Sequence, residues 1–256
     1  MSTKPAPFIW HDLMTTDVTA AKTFYAKVIG WTMQAFDSTN NYTVLTAGQT
    51  GVGGITAIPP EAGAKVMPPR WQGYIGVDDV DAYAKMVVAA GGAILKPPEE
   101  IPNVGRFAVA ADPFGAAFNL FKPGSNEVIP PAKPGTQGLI GWYELHAGDG
   151  AKALEFYSKV FGWTKTRDMD MGPMGVYHLF ATGAEEVGGI MTKFKDMPMT
   201  TWLYYFNVNG IDAAIARTNE AGGKVLMGPH EVPGSMWIAQ CRDPQGAMFA
   251  MTSAAR

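Results

Sequence analysis

The sequence has a single cysteine, Cys241, so it can form neither an internal disulfide nor a cysteine-rich zinc module. A lone cysteine in strand-like surroundings reads as a small hydrophobe and not as a nucleophile. Charge is also scarce: 17% of residues are charged, the formal net charge is −3, and no run of lysine and arginine occurs. That balance excludes a nucleic-acid footprint and an attractive field for anionic membranes, and leaves a small neutral or mixed-charge ligand as the expected partner. No apolar stretch reaches the roughly 18 residues a membrane span needs. The opening Met1 to Pro7 lacks the apolar core of a signal segment, so a cytoplasmic protein is expected. No Ser-x-Gly elbow, His-Glu-x-x-His pair or Cys–His arrangement is present, and hydrolase chemistry therefore has no motif.

What the sequence does have is an echo of itself. Phe24-Tyr25-Ala26-Lys27-Val28-Ile29-Gly30-Trp31-Thr32 returns as Phe156-Tyr157-Ser158-Lys159-Val160-Phe161-Gly162-Trp163-Thr164. Val52-Gly53-Gly54-Ile55 answers Val187-Gly188-Gly189-Ile190, Ala90-Gly91-Gly92 answers Ala221-Gly222-Gly223, and Asp112-Pro113-Phe114-Gly115 answers Asp243-Pro244-Gln245-Gly246. Two copies of one domain follow, and their comparison separates what the fold requires from what is free to differ. With 256 residues, 47% of them hydrophobic, the chain can bury two cores of roughly 100–150 residues each.

Pro123-Gly124 through Pro130-Pro131 and Pro134-Gly135 to Gly138 is dense in proline and glycine, with no apolar period, and reads as a semi-rigid linker over residues 123–138. Domains are expected at 1–122 and 139–256. Each divides into two strand–helix–strand–strand–strand modules, at 8–60 and 70–121, then at 139–195 and 200–252. Strand character over Phe8–Met14 ends at Thr15-Thr16-Asp17, which can cap a helix near Thr19 that Gly30 stops. Strands are expected at Tyr42–Ala47 and Val52–Ile58, followed by a break from Pro59-Pro60 to Pro68-Pro69. The pattern restarts with a strand at Trp71–Val77, a cap at Asp78-Asp79, a helix over Val80–Ala89, and strands near 93–96, 106–111 and 116–121. In the second half, helices are expected near Ala151–Val160 and Ile211–Ala221.

Four βαβββ modules in tandem, a helix carrying Phe-Tyr and ending in Gly-Trp, and a late Asp-Pro-x-Gly turn together resemble the vicinal oxygen chelate superfamily. This is the family of glyoxalase I, bleomycin-resistance proteins and extradiol dioxygenases. The resemblance implies an α+β fold in which two modules pair to curl an eight-stranded mixed sheet into a cup with helices outside. It also implies that members doing metal chemistry place His, Gln and Glu ligands on inward strand positions, with coordination left open for substrate oxygens.

Counted from the helix motif, those ligand positions fall on Trp10, Gln72 and Asn119 in the first half and on Trp142, Leu203 and Ala250 in the second. The remaining position lies within Gly53–Thr56 and Gly188–Thr192, where neither copy offers an imidazole or carboxylate. A one-residue slip would exchange Trp10 for His11, but it brings in Gly73 or Trp71 and Phe118 or Leu120 and inverts the strand's faces. No metal and no other cofactor is expected in either domain.

Strand alternation then places Asp12 and Met14 beside Trp10, and Glu144 and His146 beside Trp142. A carboxylate beside an indole suits proton transfer, and equally suits a structural bond to a strand end. His146 stands where the first half has Met14 and is the best single candidate for a ligand contact, although a lone strand histidine is more often structural. Gln72, Tyr74, Asn119, Tyr205, Asn207 and Met248 complete a lining fit for a small organic molecule. His11, His178 and His230 read as surface or structural, with His230 in a loop, and Arg70-Trp71 as a rim contact or a cation–π cover. Gly53-Gly54 and Gly188-Gly189 read as bulges or close backbone approaches rather than phosphate loops.

Two functions remain open: a metal-free binder of a small apolar or aromatic molecule, and a metal-independent glyoxalase-like lyase or isomerase using Asp12, Glu144 or His146 as general base. A protein-interaction scaffold ranks below both. The chain is expected to be a monomer or a homodimer, with no nucleic-acid or membrane partner.

Overall fold

The computed structural model describes residues 4–37, 42–59, 67–124 and 135–256. Most of the expected linker and most of the Pro59–Pro69 break lie outside these. The first half holds β1 (Phe8–Thr15), α1 (Val18–Val28), β2 (Thr32–Asp37), β3 (Tyr42–Ala47), β4 (Thr50–Ala57), β5 (Arg70–Gly76), α2 (Val80–Ala89), β6 (Ala93–Ile101), β7 (Gly105–Ala111) and β8 (Ala117–Pro123). The second repeats the order with β9 (Ile140–Ala147), α3 (Gly150–Phe161), β10 (Thr164–Asp170), β11 (Val176–Ala181), β12 (Glu186–Thr192), β13 (Thr201–Asn207), α4 (Ile211–Glu220), β14 (Lys224–Val232), β15 (Met236–Arg242) and β16 (Met248–Ser253). His230 therefore lies in strand β14 and not in a loop. Its exposure there accounts for the loop-like sequence around Pro229.

The strands form two eight-stranded sheets, in the orders β2-β3-β4-β1-β5-β8-β7-β6 and β10-β11-β12-β9-β13-β16-β15-β14. Each mixes parallel pairs, such as β1 with β4 and β9 with β12, with antiparallel hairpins. This is the α+β arrangement of four βαβββ modules that the repeats imply.

The helices begin where short polar side chains can accept orphan amides. Asp17, Asp79 and Asp149 cap α1, α2 and α3 through Ala20, Ala82 and Lys152 N–H. Gly162 ends α3 in the left-handed region at φ 71°, a conformation that costs glycine little.

Compactness divides the chain into two units, each drawing on both halves. The first lies within residues 1–10, 72–128 and 143–202, the second within 11–71, 129–142 and 203–256. In the first unit the Tyr157 hydroxyl accepts from Trp202 Nε1 at 3.0 Å and donates to Asp112 Oδ2 at 3.3 Å. The other oxygen of Asp112 takes the Phe114 and Ala116 amides at 2.8 and 2.9 Å. In the second unit the Tyr25 hydroxyl accepts from Trp71 Nε1 at 2.9 Å and donates to Asp243 Oδ2 at 3.1 Å, while Asp243 Oδ1 takes the Gln245 and Ala247 amides at 3.0 and 2.8 Å. Burial raises both aspartates above the usual carboxylate range, with the amide bonds pulling them back. Burial, reinforced by the Asp243 charge, also lifts the Tyr25 phenol well above its ordinary value.

The Gly-Trp signatures work in the same way. Trp163 Nε1 donates to Ala6 O at 2.7 Å in the first unit, and Trp31 Nε1 to Gly138 O at 2.8 Å in the second. Thus Phe-Tyr, Gly-Trp and Asp-Pro-x-Gly are bolts that tie a module of one half to a module of the other. Trp71 is one of these bolts, and its neighbour Arg70 lies near the Tyr204 phenol, with burial lowering the guanidinium's pKa. Around the bolts pack fully buried rings: Phe118, Phe161, Trp163 and Phe180 in the first unit, Phe24, Tyr204, Tyr205, Phe206 and Phe249 in the second. Each ring is worth roughly 1.5–3 kcal/mol by burial alone. Cys241 is buried, which pushes its thiol up to about 12 and leaves it inert.

Candidate functional site

The double glycines determine what surrounds the first strand of each half. In β4, a side-chain carbon on Gly53 would lie 2.1 Å from the His11 carbonyl oxygen, and one on Gly188 in β12 would lie 2.4 Å from the Tyr143 carbonyl oxygen. The neighbouring glycines, Gly54 and Gly189, serve a different purpose. A carbon on either would collide at 2.1 Å with the ring of Tyr42 or of Tyr177. Each bare strand position is thus a shelf across which a tyrosine from the adjacent strand lies flat, a close approach that a strand glycine permits.

The tyrosine reaches a carboxylate on the far side of its shelf. In the second unit, Gly54 pairs with Asp12 in the parallel register, and the Tyr42 hydroxyl donates to Asp12 Oδ1 at 2.6 Å. In the first unit, Gly189 pairs with Glu144, and the Tyr177 hydroxyl donates to Glu144 Oε2 at 3.1 Å. Tyr42 and Tyr177 were missed by reasoning from the first strands alone. The signal that would have found them is a tyrosine preceding the second glycine by the same interval in both copies.

Beyond this shared frame the halves part. The other oxygen of Glu144 lies 2.8 Å from His146 Nε2, and the His146 side chain is only 7% exposed. An ionised carboxylate only accepts, so Nε2 is the nitrogen that donates to it. His146 Nδ1 is buried and has no hydrogen-bond partner among the described residues. The matching residue of the first half, Met14, is half-buried and offers nothing titratable. Tyr177, Glu144 and His146 are thus a hydrogen-bonded chain that ends on a buried ring nitrogen.

The other candidates fall into separate groups. In the first unit the Gln72 amide donates to Asn119 Oδ1 at 2.6 Å, both side chains being buried, and Tyr74 packs edge-on against Phe121 at 5.8 Å. In the second unit Leu203, Tyr205 and Ala250 form one buried apolar cluster, against which Trp142, Ile238 and Met248 pack. The Tyr205 hydroxyl accepts from the Gln240 amide at 2.7 Å. Asn207 is buried against Gly141 and fills the space a side chain there would need, which is a packing role. Trp10 is half-buried on β1. Among the described residues no three His, Cys, Asp or Glu side chains gather as a metal-binding group.

The remaining histidines are structural or exposed. His11 is buried with its ring edge-on to Tyr204 at 5.0 Å, and burial lowers its pKa to about 3. Its counterpart in the second half, Tyr143, stacks on Phe8 at 4.7 Å, and burial raises its phenol above the ordinary value. His178 Nδ1 lies 2.7 Å from Asp168 at the surface.

This fold, two mixed sheets built from four βαβββ modules, defines a class, and sequence comparison names it. The profile of the Glyoxalase/Bleomycin resistance protein/Dioxygenase superfamily matches residues 8–120 and 139–251, and the chain belongs to that family. Protein CFP32 of Mycobacterium tuberculosis, which carries a provisional glyoxylase designation, is 36% identical over 94% of this chain and 92% of its own length. The anthracycline biosynthesis protein DauV of Streptomyces sp. is 31% identical over 96% of this chain and 93% of its own. Among solved structures, the Mn(II)-bound glyoxalase of Novosphingobium aromaticivorans superposes with a TM-score of 0.67 at 17% identity, covering 99% of this chain and 83% of that one. At that identity it attests the fold.

Proposed function

We propose that this glyoxalase-superfamily protein binds a small, planar, largely apolar organic molecule on the sheet of its second half, and does so without a metal. The observation that carries the reading is the fate of the family's ligand positions. Trp142, Leu203 and Ala250 lie together in one apolar cluster with Tyr205, Ile238 and Met248. No member of that set has an imidazole or carboxylate to give a divalent cation. In the first half the only oxygen and nitrogen donors at those positions, Gln72 and Asn119, bond to each other. A divalent metal does not fit either donor set, and the apolar, aromatic character of the second favours an aromatic ligand, for which stacking would contribute about 0.5–1.5 kcal/mol beyond area burial. Kinship with an anthracycline biosynthesis protein accords with an aromatic ligand.

Thermal-shift screening against a panel of small aromatic and oxo compounds tests this, because a ligand that binds only the folded form raises Tm by mass action. The expected result is a set of hits unaffected by EDTA, lost in Trp142→Ala and kept in Trp10→Ala. Stoichiometric metal in the purified protein, with glyoxalase-type activity appearing on addition of nickel, zinc or manganese, overturns the reading.

A second reading is favoured by one specific observation, the chain from Tyr177 through Glu144 to His146. A carboxylate on one imidazole nitrogen holds the tautomer in which the other nitrogen is a base, and this suits a metal-independent lyase or isomerase. Turnover of a thiol adduct of a 2-oxoaldehyde in EDTA, abolished in His146→Ala, would establish it, and turnover unchanged in that variant would end it.

A further inference from the structure

We propose that the first unit holds a further ligand site, a cleft between α2 and α3 that takes a small molecule carrying a guanidinium group at one end and a carboxylate at the other. The site uses none of the residues of the reading above and stands or falls apart from it.

The cleft has a volume of about 800 Å³ and lies over the C-terminal end of α3, between Val160, Phe161 and Gly162 there and Tyr83 and Met86 of α2. Every residue that lines it belongs to the first unit. The Tyr83 and Phe161 rings stack at 5.9 Å and fix the spacing of the two helices, so the cleft is a product of packing.

The second unit shows how the same junction is closed when the chain closes it alone. Arg217 reaches across from α4, and its Nη2 donates to Val28 O in the last turn of α1 at 3.2 Å. Glu220 pairs with Lys27 at 3.2 Å, and the Gln137 amide donates to Ile29 O at 2.9 Å. The last carbonyls of a helix have no partner within it and carry partial negative charge, so a cation there is favourable. In the first unit Met86 precedes Gly91 by the interval at which Arg217 precedes Gly222, and Ala89 likewise answers Glu220. A thioether cannot donate, and a methyl group carries no charge. Only the Gln137 contact is replaced, since Phe161 O takes the Ala6 amide at 2.9 Å. The work of Arg217 and Glu220 is left to a ligand.

The charges of the cleft call for both signs. Asp78, Asp79 and Asp81 line it together with Lys4, Lys85 and Lys159, so a ligand of one charge gains from one set and loses to the other. Two of the carboxylates are already engaged, Asp81 by Arg106 at 2.7 and 2.9 Å and Asp79 by the Ala82 amide at 3.0 Å. Asp78 stands where the second unit has Asn209, and it brings a carboxylate to the cationic end of the ligand. Lys159 stands where the second unit has Lys27, and it meets the ligand carboxylate in place of Glu220. A guanidinium suits the other end better than an ammonium, because its planar fork can serve a backbone carbonyl and a carboxylate at once.

The probes are 4-guanidinobutyrate, its methyl ester, which lacks the anionic end, and 4-acetamidobutyrate, which keeps the carboxylate but has a neutral amide for the guanidinium. Each is titrated into the whole protein at low salt and followed by calorimetry and by the Met86 methyl resonance. The expected result is that both analogues bind about tenfold more weakly than 4-guanidinobutyrate, the worth of one hydrogen bond to a charged group. Met86→Arg combined with Ala89→Glu rebuilds the closure of the second unit, and this variant should no longer bind 4-guanidinobutyrate.

Equal affinity for the three probes, binding of none of them, or undiminished binding in the double variant overturns the proposal. Should that variant not fold, Lys159→Gln, a change at an exposed side chain, decides: it should weaken 4-guanidinobutyrate about tenfold and leave the methyl ester unchanged. Equal effects on the two, or none, overturn the site.

Discussion

The two carboxylate–tyrosine pairs are built alike and end differently. Asp12 with Tyr42 in the second unit, and Glu144 with Tyr177 in the first, each place a phenol over a strand glycine and onto a first-strand carboxylate. Only the latter continues to a buried imidazole. The tyrosine–tryptophan–aspartate bolts, by contrast, agree atom for atom: Tyr25, Trp71 and Asp243 match Tyr157, Trp202 and Asp112 within a few tenths of an ångström. What repeats in bonding as well as in sequence carries the fold. What shares a frame but changes its last residue is where a function could be added to one copy.

The comparison is broken most severely at the inner glycines. Gly53→Ala and Gly188→Ala each press a side-chain carbon onto the backbone oxygen of the neighbouring strand, and each should cost about 3 kcal/mol in urea unfolding, the upper range for overpacking. A loss below about 1 kcal/mol in either would show that the strands can part and would undo the close backbone approach at these glycines.

Next come the bolts. Tyr25→Phe and Tyr157→Phe each leave a buried indole N–H and a buried carboxylate without their shared hydroxyl, at a cost of about 2 kcal/mol. Near-equal losses are expected, and a large inequality would mean that the two bolts are not equivalent. The pair His11 and Tyr143 should give opposite pH limbs. His11 is held neutral with its pKa lowered to about 3, so between that value and the ordinary 6.5 or so only the unfolded chain binds the proton. Stability is then lost as pH falls through that window, at no more than about 1.4 kcal/mol per pH unit. Tyr143 is a phenol raised by burial, so its contribution is lost as pH rises above about 10, where only the unfolded chain ionises. Unfolding followed across pH should lose its acid limb in His11→Gln and keep its alkaline limb.

The smallest expected effect is the sharpest discriminator. Tyr42→Phe and Tyr177→Phe should each cost about 1 kcal/mol, but only Tyr177→Phe should move the ring resonances of His146, because only there does the carboxylate pass the change on. Unmoved His146 resonances would separate the tyrosine from the dyad.

Much of the fold was legible in the chain. Asp17 and Asp79 announced their helices, Gly30 the end of the first, and the helix over Val80–Ala89 begins and ends where apolar spacing and capping place it. Such signals are local, decided by neighbours in sequence. The placement of Trp10, Asp12 and Met14 on β1 and of Trp142, Glu144 and His146 on β9 was equally legible, because strand alternation needs only a register. Tyr42 and Tyr177 were not, since their importance depends on a glycine one strand away. His230 misled because a proline and a histidine beside glycine look like a turn when the strand that holds them is exposed.

By itself, then, the sequence determined that one domain is written twice and that the copies are βαβββ pairs. Only the tertiary structure decided what the shared signatures hold together. A tyrosine that recurs in both halves has two equivalent aspartates to choose from, and nothing local distinguishes its own from that of the other copy. In both units the partner is the aspartate of the other half. The choice is settled by which modules can bury their rings together, a property of packing in three dimensions that no periodicity along the chain records.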